Sequence, residues 1–156
     1  MTEGLDKSIE IALQEKGEIV TSTAGTSMYP MLRNKRDMVV IKKVDRKLKR
    51  HDVPVYRLKS GKIVMHRILK VTENGYIIRG DNLYKNEYNV TDDIIIGMLK
   101  AFYRNGKFYD CETSKKYKLY VLWVRFSYPA RFVLCHLIRP QLGKLKRFII
   151  RKLKNK

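Results

Sequence analysis

From residue 19 to about residue 110 the chain is a succession of short runs rich in β-branched and aromatic residues, spanning 19–22, 38–44, 53–58, 63–71, 76–79 and 94–103. Such side chains suit a pleated, half-buried surface, so these runs predict strands. Ser60-Gly61, Asn74-Gly75 and Asn105-Gly106 stand between runs as turn signals. The last of them joins Phe102-Tyr103 to Phe108-Tyr109 by a two-residue connection, the length of a tight hairpin. Ahead of the strands, Leu5, Ile9, Ala12 and Leu13 share one helical face and Gly17 marks a stop, which predicts a short amphipathic helix over 4–16. Residues 45–52 read as a basic loop. The expected fold class is mainly β, with a short N-terminal helix and basic C-terminal helices.

A chain of 156 residues is one domain with room for an appendage. It buries about 70% of its unfolded surface and needs no disulfide staple. Cys111 and Cys135 have neither metal-type nor framework spacing and read as two free thiols, in keeping with a reducing compartment. The first residues lack the basic and apolar segments of a secretory signal or an N-terminal membrane anchor.

The pattern changes near residue 115. Residues 119–138 are apolar over about the length of a span, but Arg125, Pro129, Arg131 and His136 interrupt them. Each arginine at a bilayer centre costs about 2.5–3.5 kcal/mol on the insertion scale. In residues 142–153, Leu142, Leu145, Phe148, Ile149 and Leu153 have helical spacing, with lysines and arginines between them. Pro140 and Gly143 separate the two segments. Two basic helices lying in a membrane interface fit better than a span. The competing reading packs residues 119–138 on the β-domain as ordinary core.

The formal net charge is +19, and its distribution is lopsided. All fifteen acidic residues precede residue 113, whereas residues 125–156 hold ten basic residues and no acidic one. A tail of one sign predicts a polyanionic partner, either a membrane surface or nucleic acid. Its aromatics sit among aliphatics rather than in a nucleic-acid motif, so nucleic acid ranks below an anionic membrane reached through residues 119–156. The domain division expected is 1–112 and 113–156. The expected location is peripheral, on the cytoplasmic side of a membrane.

Three motifs suggest chemistry. Gly25-Thr26-Ser27-Met28-Tyr29-Pro30 places one serine in a constrained turn; Met65-His66-Arg67 follows on an apolar run; Gly80-Asp81-Asn82 comes third. A serine hydroxyl needs a base, and the base needs an orienting partner. Taken singly, the first is a turn without chemistry and the second a core histidine.

Their order and spacing resemble the signal peptidase I family over residues 25–97, roughly half the chain. Residues 25–41 look like the box around the nucleophile and the strand that follows it. Asp52-Val53-Pro54-Val55-Tyr56-Arg57 is similar to the extended strand ahead of the base. His66 falls where most bacterial members carry lysine, as in the endoplasmic-reticulum type. Gly80-Asp81-Asn82 matches the Gly-Asp-Asn box, and Ile95-Ile96-Gly97 the closing strand.

The resemblance implies a coiled antiparallel sheet and a serine endopeptidase with Ser27 as nucleophile and His66 as base. Asp81 is the first choice for the supporting carboxylate, with Glu87 as the alternative. The oxyanion would be held by the Ser27 backbone N–H. Family members often add a hydroxyl two residues earlier; here that residue is Gly25, leaving Thr26, Thr21 or Ser22 to substitute. Met28 and Tyr29 are expected to line the peptide cleft or the core. Arg67 looks structural; His51 and His136 carry no partner signal. The substrate would be a precursor or leader peptide cut after a small residue. The reading calls for no cofactor and no metal.

Two rivals stand beside it. A regulator related to the SOS-repressor autoproteases would use a lysine base and an N-terminal helix-turn-helix, for which residues 1–24 are too short. A non-enzymatic basic protein would bind nucleic acid or membrane through its tail.

Overall fold

Short strands with polar turns must pair with their neighbours to satisfy their backbone groups, and here every pairing is antiparallel. The computed structural model describes residues 2–133, without the side chains of residues 2–8. Helix α1 (Thr2–Lys16) ends where the Gly17 N–H bonds the Leu13 carbonyl at 3.0 Å. Its predicted face is partly visible: Leu13 is buried and Ile9 and Ala12 are half-buried.

The strands are β1 (Glu18–Ser22), β2 (Met38–Lys42), β3 (Pro54–Arg57), β4 (Ile63–Met65), β5 (Arg67–Thr72), β6 (Gly75–Arg79), β7 (Glu87–Val90), β8 (Ile95–Arg104) and β9 (Lys107–Asp110). A 3₁₀ turn over Asp92–Ile94 leads into β8. Helix α2 (Lys115–Val133) follows β9, with Pro129 inside it. The expectation of a mainly β chain with a short N-terminal helix is met, and of the expected C-terminal helices one, α2, lies among the described residues.

Two sheets result. The six-stranded one runs β1-β2-β8-β3-β4, with β9 pairing the far half of β8 beyond β3. The three-stranded one runs β5-β6-β7. At the β8–β9 hairpin, Asn105 and Gly106 have φ of 50° and 72°. Two left-handed residues make the turn whose twist matches the flanking strands, which is why Asn-Gly stands there.

The predicted run 63–71 is broken at His66. β4 pairs β3 in the larger sheet, and β5 pairs β6 in the smaller. Hydrophobic spacing continues across the break, so nothing in the pattern signals the change of sheet. A core drawn from both sheets unites Leu48, Tyr56, Ile68, Tyr76, Ile78, Val90 and Met98.

The chain divides into two compact units, Met1–Tyr120 and Val121–Lys156. The first unit ends inside α2, whose Tyr117 and Tyr120 bond to Arg67 and Asp81. The second predicted tail segment, 142–153, lies outside the described residues, as do His136 and Cys135.

Candidate active site

Ser27 sits half-buried in the loop 23–37 between β1 and β2. The loop is held from its base. The Thr23 hydroxyl donates to the carbonyls of Arg33 and Asp37, at 2.8 and 3.1 Å. The buried Asp37 carboxylate accepts the Arg33 N–H at 2.9 Å and the Arg36 guanidinium at 2.7 and 3.0 Å. Burial alone would raise the Asp37 pKa, but these donors outweigh it and hold it below the ordinary carboxylate value. Around the serine, the Gly25 N–H bonds Asn34 Oδ1 and the Tyr29 N–H closes a turn on the Thr26 carbonyl. None of these bonds uses the Ser27 N–H or Oγ. The Tyr29–Pro30 peptide is cis.

The Gly-Asp-Asn box meets this loop. The Asn82 N–H donates to the Ser27 carbonyl at 2.8 Å, and its side-chain amide donates to the Thr26 carbonyl at 3.2 Å. Gly80 lies between serine and histidine. A Cβ there would stand 2.7 Å from the Ser27 carbonyl oxygen and 3.0 Å from Cδ2 of His66. Only a residue without a side chain lets these backbones close up. Through Gly80, the Cδ2 edge of the imidazole and the Ser27 carbonyl come close to one another. No hydrogen bond joins Ser27 Oγ to His66 in this structure; such contacts tighten when substrate binds.

His66 is 5% exposed and occupies the break between β4 and β5. Its Nδ1 lies 2.7 Å from Glu87 Oε1 and 2.9 Å from the Tyr56 hydroxyl, which itself donates to Glu87 Oε2 at 2.8 Å. This triangle sets the tautomer. A carboxylate only accepts, and Tyr56 has one proton, given to Oε2. In the neutral imidazole Nδ1 therefore carries the hydrogen and donates it to Glu87, and Nε2 carries the lone pair. Burial and the adjacent carboxylate push the Tyr56 phenol far above its ordinary pKa, so it stays a donor.

Asp81 is placed differently from the first choice made on sequence. Both of its oxygens take 2.8 Å bonds from Arg67, and Oδ2 also accepts the Tyr120 hydroxyl at 3.0 Å. Burial works against the Arg67 charge, yet Asp81 and the Tyr117 hydroxyl carry its pKa well above the ordinary value. The hydrogen bonds of Asp81 go to Arg67 and Tyr120, and Nδ1 of His66 is paired elsewhere. Glu87, the alternative, holds that position instead. The box thus serves the site through its backbone and through Asn82.

Met28 is 5% exposed, so it belongs to the core and not to a cleft. Tyr29 is 44% exposed, with the Arg33 guanidinium 5.9 Å from its ring centre. Thr26 is exposed beside the serine. His51 contributes backbone: its N–H bonds the Ile68 carbonyl and its carbonyl accepts Arg67 Nη1. Cys111 is a free thiol that burial pushes up to about 12, so it stays protonated. Tyr56 escaped the sequence reading as a site residue. Its only signal is a polar tip on a strand that is otherwise core, ten positions before the histidine.

No protein-family model matches the chain, and no curated protein matches it.

Proposed function

We propose that the protein is a serine endopeptidase of the signal-peptidase type, with a fold of that kind, acting through Ser27, His66 and Glu87. The observation that carries the reading is the His66 ring, held through Nδ1 by Glu87 and Tyr56, with its Cδ2 edge against Gly80 beside the Ser27 carbonyl. In this reading Ser27 Oγ attacks the scissile carbonyl while Nε2 takes its proton. Glu87 stabilises the imidazolium through Nδ1–H. The Ser27 N–H supports the oxyanion, with the Thr26 hydroxyl close by in the chain. His66 then passes the proton to the leaving amine. Water, deprotonated by Nε2, releases the acyl group and restores Ser27. The substrate is an extended precursor or leader peptide pairing with a sheet edge and cut after a small residue. Labelling by an acylating serine-peptidase inhibitor tests this: the wild type is modified at Ser27 and Ser27→Ala is not. A wild type that stays unlabelled and cleaves no peptide removes the reading.

The same protein is proposed to work at an anionic membrane surface, held by residues 119–156. Among the described residues of that segment, Leu119, Leu122, Trp123, Phe126 and Val133 are exposed and recur at helical spacing along α2. Arg125 and Arg131 lie over the rings of Phe126 and Trp123, at 5.4 and 5.3 Å. Apolar side chains with guanidinium groups beside them suit the boundary between headgroups and acyl chains. No helix among the described residues is long and apolar enough to cross a membrane.

A further inference from the structure

We infer that Tyr117 and Tyr120, on the first turns of α2, are positioning residues for Ser27 that act through the buried Arg67–Asp81 pair. This rests on the peptidase reading and deepens it, since it assigns part of the site's geometry to a helix that carries none of its chemistry.

The pair is closed off from water, with Arg67 2% and Asp81 5% exposed. A buried ion pair holds one geometry only when its remaining donors and acceptors are also met. Arg67 Nη1 is met by the Tyr117 hydroxyl at 2.8 Å and the His51 carbonyl at 3.1 Å, and Asp81 Oδ2 by the Tyr120 hydroxyl at 3.0 Å. The two rings flank the guanidinium, with centres 5.6 and 5.9 Å from its carbon. Both tyrosines thus supply a hydroxyl and a ring face to the same cation–anion pair.

What the pair holds is the nucleophile loop. Asp81 precedes Asn82, whose N–H bonds the Ser27 carbonyl at 2.8 Å and whose side chain bonds the Thr26 carbonyl at 3.2 Å. The box is itself a turn, closed by the Leu83 N–H on the Gly80 carbonyl at 2.9 Å. Freeing the Asp81 side chain loosens that turn and with it the anchor of Ser27. The His66–Glu87–Tyr56 triangle is bonded within itself, although Gly80 of the box packs against the His66 ring. The nucleophile's half of the site is thus tied to α2, and the base's half to the triangle between the sheets.

The test uses full-length Tyr120→Phe and Tyr117→Phe, which keep the rings and lose one hydroxyl each. Amide hydrogen exchange at Asn82 reads the anchor, the rate of Ser27 labelling by a fluorophosphonate reads the nucleophile, and the proton NMR titration of His66 reads the base. A lost hydrogen bond to a buried charge changes a local equilibrium by about tenfold or more. Expected in Tyr120→Phe are roughly tenfold faster exchange at Asn82 and a similar fall in labelling rate, with the His66 titration where it is in the wild type. A merely structural role would lower the melting temperature and leave both readings of the folded protein alone. Should Tyr117→Phe prove too unstable to study, Tyr120→Phe decides alone. Wild-type exchange at Asn82 in that variant overturns the inference, whether or not Ser27 reacts. So does a His66 titration that moves with the labelling rate. An Asn82 that responds in a protein whose Ser27 never reacts retains the anchor and rejects the peptidase reading.

Discussion

His66 has two nitrogens with different duties, and the acids around it separate accordingly. Glu87 holds Nδ1 at 2.7 Å, while Asp81 is taken up by Arg67. Ser27→Ala and His66→Ala should each abolish cleavage of a peptide substrate with little change in melting temperature. Glu87→Gln should lower kcat on the order of 10³- to 10⁴-fold, because the imidazolium loses its anionic partner and the amide can favour the wrong tautomer. Asp81→Asn should instead act on stability and on the anchor of Ser27. It strands a buried arginine, a loss of about 3–5 kcal/mol for a broken buried pair. Urea unfolding and kcat of the two variants check this, and an unchanged kcat in Glu87→Gln would remove Glu87 as the imidazolium's partner.

The loop of residues 23–37 carries Ser27, the proposed nucleophile, and its base titrates. Asp37 has a folded-state pKa below the ordinary carboxylate value of about 3.9. Its contribution is therefore complete above that value and disappears as pH falls through the folded-state pKa. Asp37→Asn should cost about 1–3 kcal/mol near neutral pH, as expected for lost charge-assisted hydrogen bonds. Urea midpoints of the two proteins should converge below pH 4; a gap independent of pH would show that the carboxylate's charge is not what matters. Gly80→Ala offers a second check on the same loop. Its methyl would meet the Ser27 carbonyl at 2.7 Å, a backbone atom that has to move, so peptide cleavage should fall about a hundredfold. Most elements around this loop were legible because each announces itself locally: β2, β3 and β8 are apolar runs, and Asn105-Gly106 is a turn by its own conformational preference. β7 was missed. Its sequence Glu-Tyr-Asn-Val is mostly polar or exposed, and it exists because β6 supplies a partner. β7 brings Glu87 to His66, whereas the resemblance puts Asp81 first and Glu87 second. What decides between them is a non-local pairing, as is the meeting of Tyr56 with His66 and Glu87.

Charge and apolar exposure act together only over the whole molecule. The formal net charge of +19 draws the protein toward any anionic surface, but that attraction fades within about 8 Å at physiological salt. Charge alone would leave it loosely held. The ten basic residues of 125–156 each contribute up to about 1 kcal/mol near an anionic leaflet. The exposed Leu119, Leu122, Trp123 and Phe126 contribute a term that salt does not screen. Full-length protein should therefore sediment with anionic liposomes and much less with neutral ones, and part of the binding should survive high salt. Replacing Leu122, Trp123 and Phe126 by serine should remove the salt-resistant part, leaving the salt-sensitive part in place. These side chains are exposed, so the fold and the labelling of Ser27 should persist in the variant. Truncation within α2 is a poorer test, because a cut near Lys115 also removes Tyr117 and Tyr120 from the Arg67–Asp81 pair and confounds membrane binding with the geometry of the site. Equal sedimentation of the wild type and the triple variant at all salt concentrations would remove the apolar term. Tight, salt-sensitive binding to nucleic acid without liposome binding would replace the membrane as the partner of the basic tail.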